Sequence, residues 1–165
     1  MNSLVELLVF DAITGNNDRH FYNWAVVKDI LGKKTPKLSP IYDSARGLFW
    51  NRSEDVIELK FYAGKGKKRK INQPALDKYI RTSRPKIGWE KWKEPKEINH
   101  FQLIEKIYGD YSQYHKICNK LLKPLNLQSI LHLLDSEFIT FYTPSRFNLI
   151  KECIKQRFEI LQKLC

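Results

Sequence analysis

Three oxygen-bearing side chains in the first third of the sequence could act on one substrate. In TGNNDRHFYNWAVV, Thr14 to Val27, the carboxylate of Asp18 precedes the carboxamide of Asn23, and a second carboxylate, Asp43, follows in SPIYDSARGLFW. Two carboxylates and a carboxamide oxygen converging on one point make a hard, oxygen-only site suited to magnesium, which takes few protein ligands and keeps waters and substrate phosphates. Phosphoryl transfer asks a protein mainly for positioning and charge neutralisation. One carboxylate orients the attacking hydroxyl or accepts its proton, and the others hold metal on the phosphates.

The alternative is a solvated turn, because Asn and Asp form Asx-turns and tolerate unusual backbone angles. That reading accounts well for Asn16 and Asn17. It does not account for the interval from Asp18 to Asn23, which equals the five residues between base aspartate and metal-binding asparagine in a kinase catalytic loop. Arg19 and His20 lie inside the interval and Arg46 follows Asp43 by three residues. All three are candidate substrate or phosphate contacts, each with a structural alternative. Arg19 could instead pair with Asp11 or Asp43, His20 could hydrogen-bond the loop backbone, and Arg46 could stand in solvent.

The elements that must position these residues follow from the pattern around them. Ser3 to Ile13 has apolar residues at helical spacing, with Ser3 as N-cap and Gly15 as a left-handed stop. Phe21 to Val27 and Leu38 to Tyr42 read as antiparallel strands around a turn near Lys33, pairing residue numbers that sum to about 66. Asn23 then faces Asp43. Ser44 to Arg69 reads as irregular, with a short strand at Val56 to Tyr62 and a basic run, KGKKRK, at Lys65 to Lys70. The run could dock an acidic partner or nucleic acid, or be an exposed loop. Helices are expected at Pro74 to Arg81, Asn99 to Tyr108, Ser112 to Leu122, Leu127 to Leu134 and Thr143 to Leu164, the last capped by Thr143 with Pro144 at its first position. Between them Arg84 to Glu97 reads as a surface loop whose Trp89 and Trp92 either stack bases or pack on the core. His100, His115 and His132 read as ordinary helix residues. The fold class is α+β, mostly helical, with a small early antiparallel hairpin.

Composition bounds the rest. The 165 residues, 42% of them hydrophobic, suffice for one packing unit. Twenty-nine Lys and Arg against eighteen Asp and Glu leave a formal charge of +11, which favours anionic partners. Cys118, Cys153 and Cys165 are odd in number and widely spaced, arguing against a disulfide framework or zinc site and for a reducing cytoplasm. No apolar run approaches the roughly 20 residues of a membrane span.

TGNNDRHFYNW followed by SPIYDSARGLFW resembles the catalytic and metal-binding loops of the HipA-like kinases, and KEINHFQLIEKIY and TPSRFNLIKECIKQRFEIL are similar to helices of that family's C-terminal lobe. The resemblance implies that residues 1–165 form a HipA-like C-terminal kinase lobe, with Asp18 as catalytic base and Asn23 and Asp43 as ligands for magnesium and, through it, ATP. It implies a serine/threonine kinase acting on a protein substrate, in some family members a toxin restrained by a DNA-binding antitoxin. Phosphatidylinositol kinases carry a related Asp-Arg-His loop and are the nearest rival. A complete HipA-like kinase also has an N-terminal lobe with a phosphate-covering loop and a lysine. No counterpart precedes Asp18 here, and the lone GxG of Ala63 to Lys67 stands in the wrong order to replace it. The chain is then a fragment, one of two lobes on separate chains, or an inactive remnant. The reading from a different class is a pseudokinase or binding module that contacts a protein or nucleic acid through its basic surface.

Overall fold

The computed structural model describes residues 2–87 and 98–165. In chain order these form α1 (Asn2–Thr14), a hairpin of β1 (Val26–Val27) and β2 (Lys37–Leu38), α2 (Glu54–Phe61), and a second hairpin of β3 (Tyr62–Ala63) and β4 (Lys70–Ile71). Five helices follow: α3 (Gln73–Thr82), α4 (His100–Asp110), α5 (His115–Leu121), α6 (Pro124–Leu133) and α7 (Pro144–Leu164). The fold is α+β and mostly helical, with small antiparallel hairpins.

The site is carried by the C-terminal end of α1. That helix buries Val5, Leu7, Leu8, Val9, Ala12 and Ile13, an apolar circumference expected of a helix surrounded by others. It packs on α4, α5 and α7. Gly15 stops it with φ of +63°, a conformation a Cβ disfavours. α7 is the longest element and the spine of the core. The Thr143 hydroxyl accepts from the Arg146 N–H at 3.3 Å, Pro144 occupies the first turn, and Phe147, Ile150, Ile154, Phe158 and Leu161 form its buried stripe. α4 begins with a reciprocal capping box, Asn99 with Gln102.

Four expectations need correction. Val56 to Tyr62 is helix α2 up to Phe61. The Ser53 hydroxyl caps it, Glu54 and Asp55 lie in its first turn, and the residues buried are Ile57 and Phe61, four apart. Those end signals outweigh the β-branched and aromatic content of VIELKFY. The first hairpin is shorter than predicted, and its register, Val26 opposite Leu38, centres the turn on Gly32 rather than Lys33. Phe21–Asn23 is a single 3-10 turn, not strand, because His20 caps it by accepting from the Tyr22 N–H. α1 starts at Asn2, so Ser3 lies within its first turn rather than capping it. The basic run is also more ordered than a free loop at one end. Arg69 pairs with Glu58, donates to the Ser145 hydroxyl at 2.6 Å and lies over the Tyr62 ring. Trp89 and Trp92 lie outside the described residues.

Candidate active site

The turn after α1 is organised by Asp11, which is completely buried. Its backbone carbonyl accepts from the Asn16 N–H at 3.0 Å, and its carboxylate accepts from the Asn16 side-chain amide at 3.0 Å. The Asn16 side-chain oxygen in turn accepts from the Asp18 N–H at 3.1 Å. Asn16 therefore shapes the loop, as an Asx residue should. Asn17, beside it, is exposed.

Arg19 is the hub of the site and is itself fully buried. Its Nε and Nη2 grip the two Asp11 carboxylate oxygens at 2.7 and 3.0 Å, and Nη2 also donates to the Ser44 hydroxyl at 2.7 Å. Nη1 donates to the backbone carbonyls of Asn23 at 2.7 Å and of Tyr42 at 2.9 Å. A bidentate carboxylate on one edge fixes the guanidinium plane. Its other edge then ties the chain at Asn23 to the chain just before Asp43. The observed register sums to 64 and would set Asn23 opposite Ile41 rather than Asp43, so the backbone at Asn23 and the backbone before Asp43 are tied by this one side chain and not by the ladder. Arg19 cannot touch a substrate, and of its two sequence alternatives the pairing with Asp11 holds.

Asn23 is buried, and its amide nitrogen donates to the Asp18 backbone carbonyl at 2.7 Å. With the nitrogen committed, the carboxamide oxygen is the group left for a ligand. Asp43 is exposed and takes a left-handed backbone, φ of +50°, which Asp tolerates better than most residues. A carboxamide oxygen and an exposed carboxylate are donor types that a hard cation takes.

Asp18 is nearly inaccessible, with 5% of its side chain exposed, yet it holds two cations. Lys86 Nζ lies 2.6 Å from Oδ1, and Arg46 Nε lies 3.1 Å from Oδ2. Burial pushes the carboxyl up, but the Lys86 hydrogen bond, the Lys86 charge and the Arg46 charge together outweigh it. The group sits below the usual carboxylate range. His20 Nε2 stands 3.9 Å from Oδ2. Because its Nδ1 accepts from the Tyr22 N–H, the neutral ring carries its proton on Nε2, facing Asp18. His20 thus does bond the loop backbone. Arg46 is on Asp18 rather than free in solvent, with its guanidinium 5.1 Å from the Trp50 ring centre. A cleft of about 540 Å³ opens beside Asp18, lined also by Asn17, Arg46, Ser83 and Lys86.

Lys86 is the site residue that sequence reasoning missed. It lies 68 positions from Asp18 in a segment read as loop, and a lone lysine there carries no spacing signal. The layer beneath the site was also invisible. Arg157 of α7 donates to the carbonyls of Ala12 at 2.6 Å and Ile80 at 3.1 Å, joining the ends of α1 and α3. His100 is buried in this layer, and its Nε2 has no hydrogen-bond partner among the described residues. Desolvation first, and the Arg157 charge second, hold its imidazole well below the ordinary histidine range.

No family model matches the sequence, and no solved structure matches it. Among curated proteins the chain is similar to "Putative kinase Y4dM" of Sinorhizobium fredii (strain NBRC 101917 / NGR234). The identity is 35% over 57 residues, which are 34% of this chain and 13% of that protein. The similarity therefore reaches a protein named as a kinase, over a small part of that protein's length. Among the described residues no helix is long and apolar enough to cross a membrane.

Proposed function

We propose that this chain is the catalytic-loop lobe of a HipA-like serine/threonine protein kinase, working in the cytoplasm on a protein substrate with ATP and magnesium. The observation that carries the proposal is the tying together of the backbone at Asp18, at Asn23 and just before Asp43. The Asn23 amide holds the Asp18 carbonyl, and Arg19 gathers the Asn23 and Tyr42 carbonyls onto one buried guanidinium. The partial similarity to a protein named as a kinase supports the same class.

On this reading Asn23 and Asp43 would hold magnesium, which supplies charge neutralisation on the phosphates of ATP. Asp18 orients the acceptor hydroxyl. A carboxylate held below its usual pKa is a weak base, so its larger contribution is orientation, with proton uptake late in the transfer. Asn16 and Arg19 position the loop and contact no reactant. A DNA-binding antitoxin as partner belongs to the same proposal.

The test is transfer of label from ATP to protein acceptors, measured with magnesium on the full reading frame that encodes these residues. Asp18→Asn and Asp43→Asn should each lower the rate by about 100-fold or more, the lower end of what positioned proton-transfer and metal-holding groups contribute. An unchanged rate in both variants would sink the assignment.

A binding-module reading has its own support, because Lys65, Lys67 and Lys68 stand exposed on the turn between β3 and β4. It predicts binding to polyanions that weakens steeply with salt, ignores magnesium and depends on those lysines rather than on Asp18.

A further inference from the structure

The cleft beside Asp18 is distinct from the side that would hold metal. It is lined by Asp18, Lys86 and Arg46, with Asn17 and the extended segment at Ser83, but by neither Asn23 nor Asp43. If the nucleotide phosphates are held by Asn23 and Asp43, what enters this cleft is the acceptor. We propose that the cleft is an acceptor subsite for a peptide whose serine or threonine is flanked by an oxyanion side chain, with Lys86 and Arg46 as its anion contacts. The inference rests on the kinase reading and deepens it by naming the substrate class.

Three features point to that ligand. The first is charge that can be reached: the side chains of Lys86 and Arg46 are 52% and 47% exposed, whereas Asp18 between them is 5% exposed. An incoming carboxylate or phosphate can meet both cations without entering the core. The second is the wall. None of the described residues lining the cleft is aromatic, so those residues give a nucleic acid base no ring to stack on. Pro85 is the one apolar residue among the described residues that line the cleft, and the rest of its carbon surface is the stems of polar and charged side chains. That lining favours a polar, anionic peptide over an acyl chain. The third is size. A volume of about 540 Å³ falls in the ordinary range of ligand sites.

The same contacts give the subsite a consequence for the reaction. In the present arrangement each Asp18 carboxylate oxygen already holds a cation. Arg46 is anchored by packing over Trp50, while Lys86 hangs on a flexible stem. An anion beside the acceptor hydroxyl draws Lys86 off Oδ1 and returns that oxygen to the hydroxyl. Acidic substrates are therefore favoured in binding and in the orientation of their hydroxyl.

The experiment is fluorescence anisotropy with short labelled serine peptides, without ATP, on the full-length protein. The serine is flanked by glutamate, by phosphoserine or by alanine, and an oligonucleotide of matched charge serves as competitor. At least one anionic peptide should bind about tenfold more tightly than the alanine peptide, the scale of one charge-assisted hydrogen bond. The tighter of the two names the source of the oxyanion. Lys86→Gln and Arg46→Gln should each erase most of the ratio, and Lys86→Arg should keep it. Melting curves confirm that each variant is folded, and Lys86→Arg carries the test if Lys86→Gln is not. Equal binding of all three peptides, a ratio unchanged by Lys86→Gln, or stronger binding of the oligonucleotide overturns the subsite. Because no transfer is measured, loss of the binding preference leaves the kinase reading standing. Conversely, absence of transfer leaves a peptide subsite that still needs Lys86.

Discussion

Arg19 lies within the interval that defines the site, and every one of its donors is used to build rather than to react. It is completely buried, and so is Asp11 beneath it. Removing one partner of such a pair leaves the other charge desolvated, which costs about 3–5 kcal/mol. Arg19→Met should therefore lose about that much stability in urea titrations, and Arg19→Lys should recover only part of it, because an ammonium cannot span Asp11, Asn23, Tyr42 and Ser44 together. A loss below about 1 kcal/mol would be the scale of an exposed pair and would refute the clamp. Asp18 invites a test by pH. Its folded pKa is depressed, so it contributes stability that is present above the unfolded carboxyl value, about 3.9, and is lost as pH falls through the lower folded value. Lys86→Gln removes the largest of the lowering causes. The acid limb of its stability curve should then be shallower than that of the parent below about pH 4, a difference measured by urea unfolding at successively lower pH.

At the scale of elements, the loop rests on a junction where α1, α3, α4 and α7 meet. The described residues give Arg157 no carboxylate. Its counter-charge comes from the carbonyl ends of α1 and α3, whose dipoles favour a cation there. Gly15 makes this approach possible, since a Cβ at that position would lie 3.2 Å from Arg157 Cζ in a left-handed backbone. Gly15→Ala should cost about 1–3 kcal/mol from backbone strain alone, visible as a lowered melting temperature. His100 completes the junction from α4. Its folded pKa is far below the ordinary 6.5, so the folded state resists a proton that the unfolded chain takes up. Stability should accordingly fall as pH drops below about 6.5, and His100→Gln should flatten that limb. Little of this junction is legible in sequence, for a physical reason. What could be read was local: Gly15 as a stop, Thr143 and Pro144 at the start of α7, the start of α4 to within one residue of Asn99, and the interval from Asp18 to Asn23. Each is decided within a few residues by cap chemistry or loop shape. α2 was misread because its central residues favour a strand, while Ser53 and the buried pair Ile57 and Phe61 settle it as helix once the core is present. Lys86, Arg157 and His100 act through contacts between distant parts of the chain, and no periodicity announces such partners.

At the scale of the whole molecule, two anion-binding behaviours coexist and must be separated. A formal charge of +11 attracts any polyanion, ATP included, through exposed lysines such as Lys67 and Lys68. A phosphoryl-transfer site instead demands magnesium and Asp43. Ligand linkage distinguishes them, because a ligand that binds only the folded state at 100 times its dissociation constant adds about 2.7 kcal/mol. For a chain of this size each kcal/mol raises the melting temperature by about 2–4 °C, so a saturated site should shift it by about 5–10 °C. With ATP and magnesium together that shift should appear in the parent protein, disappear on chelation and disappear in Asp43→Asn, while changing little with added salt. ATP attracted by charge alone should give a small shift that needs no magnesium and fades between low and physiological salt. That shift should survive Asp43→Asn and be lost when Lys67 and Lys68 are both changed to glutamate. A thermal shift of this second kind alone would leave the molecule a basic binding module and remove magnesium from its chemistry.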